Sequence, residues 1–260
     1  MATVESLRPR VASGDALVLD GVTRAFGALR AVDDVSLTVA AGERRAILGA
    51  NGAGKTTLFN AITGDFPATA GRIRFFDEDV TDLPPYERIR RGLRRTYQSS
   101  LLFRDLSVRD NVFLAVRGVA SGRFSFLRPR RTHASCVATQ DLLERVRLTP
   151  VADDLVATLS HGQQRQLEIA MALATEPRLL LLDEPVAGMG LEESQRMVRF
   201  LSTLKGRITI VLVEHDMDAV FTLADRISVM VYGRIIATGT PPEIRGNDEV
   251  RRAYLGEDQA

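Results

Sequence analysis

The sequence has a single cysteine, Cys136, in 260 residues, so no internal disulfide can brace the fold, which suits a reducing compartment. It has almost no surplus of charge. Thirty-four basic against 33 acidic side chains leave +1, which removes any bulk pull toward nucleic acid or anionic lipid and leaves partner choice to local surface. No apolar run approaches the ~20 residues that cross a bilayer. RLLLLDEP and ITIVLVEHD reach acids after a few positions and read as buried strands. There is no internal repeat and no low-complexity block. The opening MATVESLRPRVASGD carries no apolar segment, so residues 1–15 are expected to be a flexible polar tail on a cytoplasmic protein. What is present, 45% hydrophobic and 26% charged residues, is the composition of a globular protein and excludes the disordered and fibrous classes.

Short β-rich runs open the chain: ALVLDGV at 16–22, DVSLTV at 34–39, RRAILG at 44–49 and RIRFFDED at 72–79. They predict a small antiparallel sheet beside a core strand. Between Gln98 and Ser160 the pattern turns helical, with Val137, Leu142, Leu143 and Val146 at helical spacing. From 179 onward LLLLD, ITIVLVE and RISVMVY are continuous apolar strands separated by helical stretches, the mark of a parallel sheet covered on both faces. The expected class is α/β. RGVASGRFSFLRPRR at 117–131 reads as a loop or insertion whose five arginines are expected to face solvent, the alternative being lipid headgroups or a partner, and residues 240–260 as a C-terminal extension opened by a Pro-Pro break.

The run GANGAGKTT at 49–57 follows an apolar strand and precedes a helical stretch, the setting that a GxxxxGK[ST] motif requires. Gly49, Gly52 and Gly54, with Asn51 and Ala53 between them, let successive N–H groups turn inward at a helix start, which suits a polyphosphate. Lys55 is expected between the β- and γ-phosphates, the Thr56 hydroxyl on Mg²⁺, and Thr57 at the α-phosphate. LLLLDEP at 179–185 ends a buried strand in two acids that point to opposite sides of an extended chain. Asp183 is expected in the Mg²⁺ shell and Glu184 beside the attacking water as general base.

With LSHGQQRQLEIAMAL at 159–173 the pattern resembles a family, the ATP-binding cassette proteins, whose signature reads LSGGQ; His161 stands where the family usually has glycine. The resemblance runs from about residue 16 to the C-terminus. It implies that Ser160, Gly162 and Gln163 face the γ-phosphate of ATP bound by an opposite protomer. It further implies that Gln98 in RRTYQSS links Mg²⁺ and water to the helical subdomain, that His215 in VEHDMD is the switch histidine, and that Phe26 stacks on adenine. The implied fold is a RecA-like P-loop core with an N-terminal antiparallel β subdomain, the cassette occupying 16–239 and a helical subdomain about 99–165.

The resemblance further implies an ATPase subunit, with ATP and Mg²⁺ as its cofactors, on the cytoplasmic face of the inner or plasma membrane. Its partners would be transmembrane permease subunits, a second nucleotide domain, either a copy or a paralogue, and a solute-binding protein at the system level; nucleic acid is not among them. VEHDM, EPVAGM and RRAYLGE look most like ATPases of branched-chain amino-acid importers and of similar urea or amide importers, the alternative being lipopolysaccharide export. Gly190 departs from the family's usual aspartate, so any contact made there is expected to use backbone groups. DNA-maintenance relatives are disfavoured because no long coiled coil separates the loop from the signature, and translation-associated ones because the chain holds one cassette.

Overall fold

The computed structural model describes residues 14–96, 102–119 and 134–255. Alternation builds the first layer. In β2 (Leu29–Ala40) Val35, Leu37 and Val39 are buried while Asp34, Ser36 and Thr38 face outward, and the strand pairs antiparallel with β1 (Asp15–Phe26). β3 (Arg44–Leu48) is buried along its whole length and runs into the glycine loop and α1 (Lys55–Thr63). β4 (Ala70–Phe75) and β5 (Glu78–Asp79) complete a four-stranded sheet of order β2-β1-β4-β5. The run expected as one strand over 72–79 is therefore broken, because Phe76 and Asp77 turn the chain at φ 45° and 67°.

After α2 (Pro85–Arg90) comes β6 (Leu93–Arg95), then α3 (Val108–Val119), α4 (Ala134–Arg145) and α5 (His161–Leu173). These three helices enclose their own apolar cluster, with Val108, Val112 and Val116 of α3 against Leu142, Leu143 and Val146 and against Leu167 and Ala170. The chain then lays down β7 (Leu179–Asp183), α6 (Leu191–Ser202), β8 (Thr209–Val213), α7 (Met217–Leu223), β9 (Arg226–Val231), β10 (Arg234–Gly239), α8 (Pro241–Arg245) and α9 (Asp248–Leu255).

The second sheet has six strands in the order β10-β9-β3-β8-β7-β6, parallel except for β10. Both of its faces are covered, as the continuous apolar runs demand. Leu179 and Leu181 join Leu58, Phe59 and Ile62 of α1 on one face, while Leu180 and Leu182 join Met197, Leu201, Val220 and Leu223 on the other. Each buried leucine contributes about 1.5–3 kcal/mol. Ile244 and Val250 dock α8 and α9 onto that second face. Among the described residues no helix is long and apolar enough to cross a membrane.

Register places the site. Asp183 lies opposite Val213, and Val213 opposite Ile47, so β7, β8 and β3 end level and deliver their following loops to one edge.

Candidate active site

The glycine loop is held by close backbone packing. A Cβ on Gly49 would overlap the Met230 carbonyl, and one on Gly54, at φ 100°, would overlap the Ala31 carbonyl, so neither position admits a side chain. Ala53 N–H donates to the Ala50 carbonyl at 3.1 Å, and Gly233 N–H donates to the Ala53 carbonyl at 2.9 Å, which ties the loop to the β9–β10 hairpin. Asn51 and Gly52 are exposed and Ala53 is buried. Lys55 opens α1 and is buried; its Nζ donates to the Gly49 carbonyl at 2.5 Å and to the Ala50 carbonyl at 2.9 Å, using two of three ammonium donors. Burial pushes this ammonium below the ordinary lysine range, and the charges of Glu184 and Asp183 oppose the shift. Thr56 is exposed and Thr57 half-buried on the same helical turn.

The two carboxylates separate, though not by the strand alternation expected. β7 ends at Asp183, and Glu184 takes a left-handed φ of 51° while its N–H still donates to the Val213 carbonyl at 2.8 Å. Asp183 is buried: Oδ2 accepts from Arg95 Nη2 at 2.9 Å, and Oδ1 is buried with no hydrogen-bond partner. Arg95 also donates to Asn60 Oδ1, and Asp65 lies 3.6 Å from it. Glu184 turns instead toward β8, where its Oε1 lies 3.0 Å from His215 Nε2. The contact is a hydrogen bond in which His215 Nε2 donates when the ring carries its proton on that nitrogen, because an ionised carboxylate only accepts.

Three residues that bind this edge together were not singled out from the sequence. Arg95 holds Asp183 from β6. Arg165 of α5 donates through Nη2 to the carbonyls of Asp183 and Glu184 and pairs with Glu168 through Nη1 at 2.6 Å. Glu214 is buried and accepts from Val186 N–H at 2.7 Å, His215 N–H at 2.9 Å and, more weakly, Asp216 N–H at 3.4 Å. Each stands inside a run already quoted, RRTYQ, HGQQR or VEHD, but its partner lies elsewhere: 88 residues away for Arg95, 18 for Arg165 and 28 for Glu214.

Phe26 ends β1 at 43% exposure, its ring edge-on to Phe66 at 5.6 Å between centroids. The Arg24 guanidinium lies 4.6 Å from the Phe26 centroid and 5.5 Å from that of Phe66, a cation–π cluster which the sequence reading did not anticipate.

The LSHGQ turn is closed within the chain. Ser160 caps α5: its Oγ accepts from Gln163 N–H at 3.2 Å, and Gln163 Oε1 accepts from Ser160 N–H at 2.9 Å. Ser160 Oγ also donates to Glu193 Oε1 of α6 at 3.0 Å, and a Cβ on Gly162 would stand 2.9 Å from the same carboxylate. The His161 ring packs over Gly188. Among the described residues no hydrogen bond or ion pair joins Ser160–Gln163 to the loop at 49–57. Gln98 and residues 120–131 of the arginine-containing stretch lie outside the described residues.

A family model described as ABC transporter matches residues 32–187, and one described as Branched-chain amino acid ATP-binding cassette transporter matches 234–260. The high-affinity branched-chain amino acid transport ATP-binding protein BraF of Pseudomonas aeruginosa is 38% identical over 249 residues, covering 93% of this chain and 98% of that protein. LivG of Escherichia coli strain K12, of the same description, is 39% identical over 251 residues with the same coverage. The lipopolysaccharide export system ATP-binding protein LptB of that strain is 36% identical over 243 residues, again covering 93% and 98%. Among solved structures, an ATP-binding cassette of an ABC transporter in its ADP conformation superposes with a TM-score of 0.81 at 29% identity, covering 94% of this chain and 100% of that one. A dimeric post-hydrolysis cassette bound to ADP and Pi gives 0.74 at 25% identity, covering 86% and 98%. A family match over more than half of the chain, including the glycine loop and the acid pair after β7, with relatives this similar along nearly their whole length, makes the chain an ATP-hydrolysing cassette: it belongs to the ABC transporter family.

Proposed function

We propose that the chain hydrolyses ATP at the level ends of β3, β7 and β8 and thereby powers a membrane importer of branched-chain amino acids or a related small polar solute. The observation that carries the chemistry is the Glu184–His215 contact of 3.0 Å beside the glycine loop. Glu184 takes the proton of the attacking water, and His215, donating to it, fixes the direction in which the carboxylate points. Gly49–Gly54 receive the phosphates on backbone N–H groups, Lys55 supplies the cation there, and Thr57 touches the α-phosphate. Phe26 offers its exposed face to the adenine.

Mg²⁺ fits the residues present. Asp183 Oδ1 is a buried acceptor without a partner, and Thr56 brings an exposed hydroxyl. Among the described residues no cluster of three or more His, Cys, Asp or Glu could hold a metal alone, which suits an ion bound by a single carboxylate with neutral oxygen groups and otherwise by substrate phosphates. When bound, Mg²⁺ supplies charge neutralisation at the phosphates. Gln98 completes the proposed set.

Ser160, Gly162 and Gln163 serve a second nucleotide domain, since within one chain they do not reach the loop. Two copies, or this chain and a paralogue, close head to tail around two ATP molecules on the cytoplasmic face of the membrane, against permease subunits and with a solute-binding protein on the far side. The match at 234–260 favours amino-acid import. The likeness to LptB supports a second reading, lipopolysaccharide export.

Glu184→Gln tests the mechanism. Turnover is expected to fall about 10²–10⁴-fold. ATP binding should persist, and light scattering should report a dimer with ATP but not with ADP. Wild-type turnover in that variant removes Glu184 from its role. Isolating the membrane subunits that co-purify with the chain, then measuring leucine uptake through them in vesicles, separates import from export.

A further inference from the structure

Glu214 has no part in the chemistry above, and its position is costly. The side chain is 2% exposed and, among the described residues, neither Lys nor Arg hydrogen-bonds or pairs with it. Burial pushes its carboxyl above the ordinary glutamate range, and the three backbone amides that it accepts oppose that shift. An apolar side chain would fill the space without the desolvation penalty. What such a side chain cannot do is grip two loops. Oε1 holds the Val186 amide, two residues beyond Glu184, and Oε2 holds the amide of His215 itself. These loops carry the two side chains whose contact is proposed to orient the base. Glu184 moreover sits at φ 51°, a conformation that persists only where the surroundings over-determine it.

We propose that Glu214 is a positioning residue for ATP hydrolysis: its carboxylate ties the turn after β7 to the turn after β8 and so sets the approach of His215 to Glu184. Neither oxygen touches the reacting atoms; the effect runs through the backbone. The inference rests on the assignment of Glu184 and His215 as the hydrolytic pair.

Glu214→Gln keeps the volume and replaces one acceptor oxygen by an NH₂ group that faces a backbone N–H. kcat is expected to fall about 10–10²-fold, the scale of a displacement of roughly 1 Å at a reacting group. ATP affinity by equilibrium titration should not change. In a His215→Ala background the same substitution should cost nothing further, because the pair it sets is already broken. A purely structural role would multiply the two losses. Wild-type kcat in Glu214→Gln, or an undiminished loss in the His215→Ala background, overturns the proposal. If the variant does not fold, hydrogen exchange on the wild-type protein decides: a protected Val186 amide supports the tie, and one exchanging as fast as open loop amides refutes it. Glu184→Gln measured alongside keeps the two claims apart. Wild-type turnover there defeats the assignment of the base, whereas failure confined to Glu214 leaves that assignment standing.

Discussion

Around the glycine loop the chain leaves polar capacity unused, whereas at the LSHGQ turn it consumes it. Asp183 Oδ1 accepts no hydrogen bond, Lys55 spends two of three donors on the loop's own carbonyls, and Glu184 is held at φ 51°. At the turn, Ser160 and Gln163 satisfy each other, the Ser160 hydroxyl has a further partner in Glu193, and a regular helix follows. The first region is prepared for a ligand by strain and surplus acceptors. The second can meet a ligand through the Ser160 hydroxyl only by exchanging an internal bond for an external one.

Lys55→Ala probes the prepared side and should have the largest effect of the substitutions that separate the two regions. Loss of the cation from the phosphate loop is expected to lower turnover about 10²–10³-fold and to weaken nucleotide binding, read by titration with a fluorescent ATP analogue. Unchanged affinity would show that the loop amides alone suffice. Phe26→Ala comes next: removing a stacked base costs about 1–3 kcal/mol, which should appear in the ATP KM with kcat largely preserved. A fall in kcat at constant KM would instead place Phe26 in the packing of Phe66 and Arg24.

Glu193→Ala tests the satisfied side. It frees the Ser160 hydroxyl of one hydrogen bond, worth about 0.5–1.5 kcal/mol, so ATP-dependent association in the Glu184→Gln background should tighten by about two- to tenfold. Weaker association, measured by light scattering across a concentration series, would mean that Glu193 supports the turn rather than competing for it. The smallest effect belongs to Gly190→Asp. Gly190 caps α6 with φ −67° and ψ 161°, and a Cβ there meets nothing within 4 Å. The aspartate that the family usually carries should fit and add a few tenths of a kcal/mol as an N-cap, visible as a slightly higher Tm. A clear fall in Tm would contradict that open setting.

Legibility in the sequence followed how local each feature is. GANGAGKTT could be placed because strand, turn and helix are contiguous, and β7, β8 and β9 because unbroken apolar runs report burial on both faces. β6 escaped notice, since Leu93–Arg95 is three residues long with two arginines and becomes a strand only by pairing with β7. β10 lies half-exposed at a sheet edge beside β9 and shows no clean period. The break at Phe76–Asp77 was hidden because phenylalanine is not a residue that announces a positive φ. The signature run was legible from its residues, whereas the bond of Ser160 to Glu193, 33 residues on, was not.

By itself the sequence determined the classes of group that must meet: a glycine loop with a lysine, an acid pair closing a buried strand, a histidine after another, and an LSHGQ run. Those are written in spacing and hydrophobic period, which are properties of neighbouring residues. Only the tertiary structure decided who faces whom. The sheet order sets β7 beside both β6 and β8, so Asp183 meets Arg95 across 88 residues and Glu184 meets His215 across 31. The same order lets the Glu214 carboxylate reach the Val186 amide. Such contacts depend on strand register and on a left-handed residue at Glu184, neither of which any local pattern encodes.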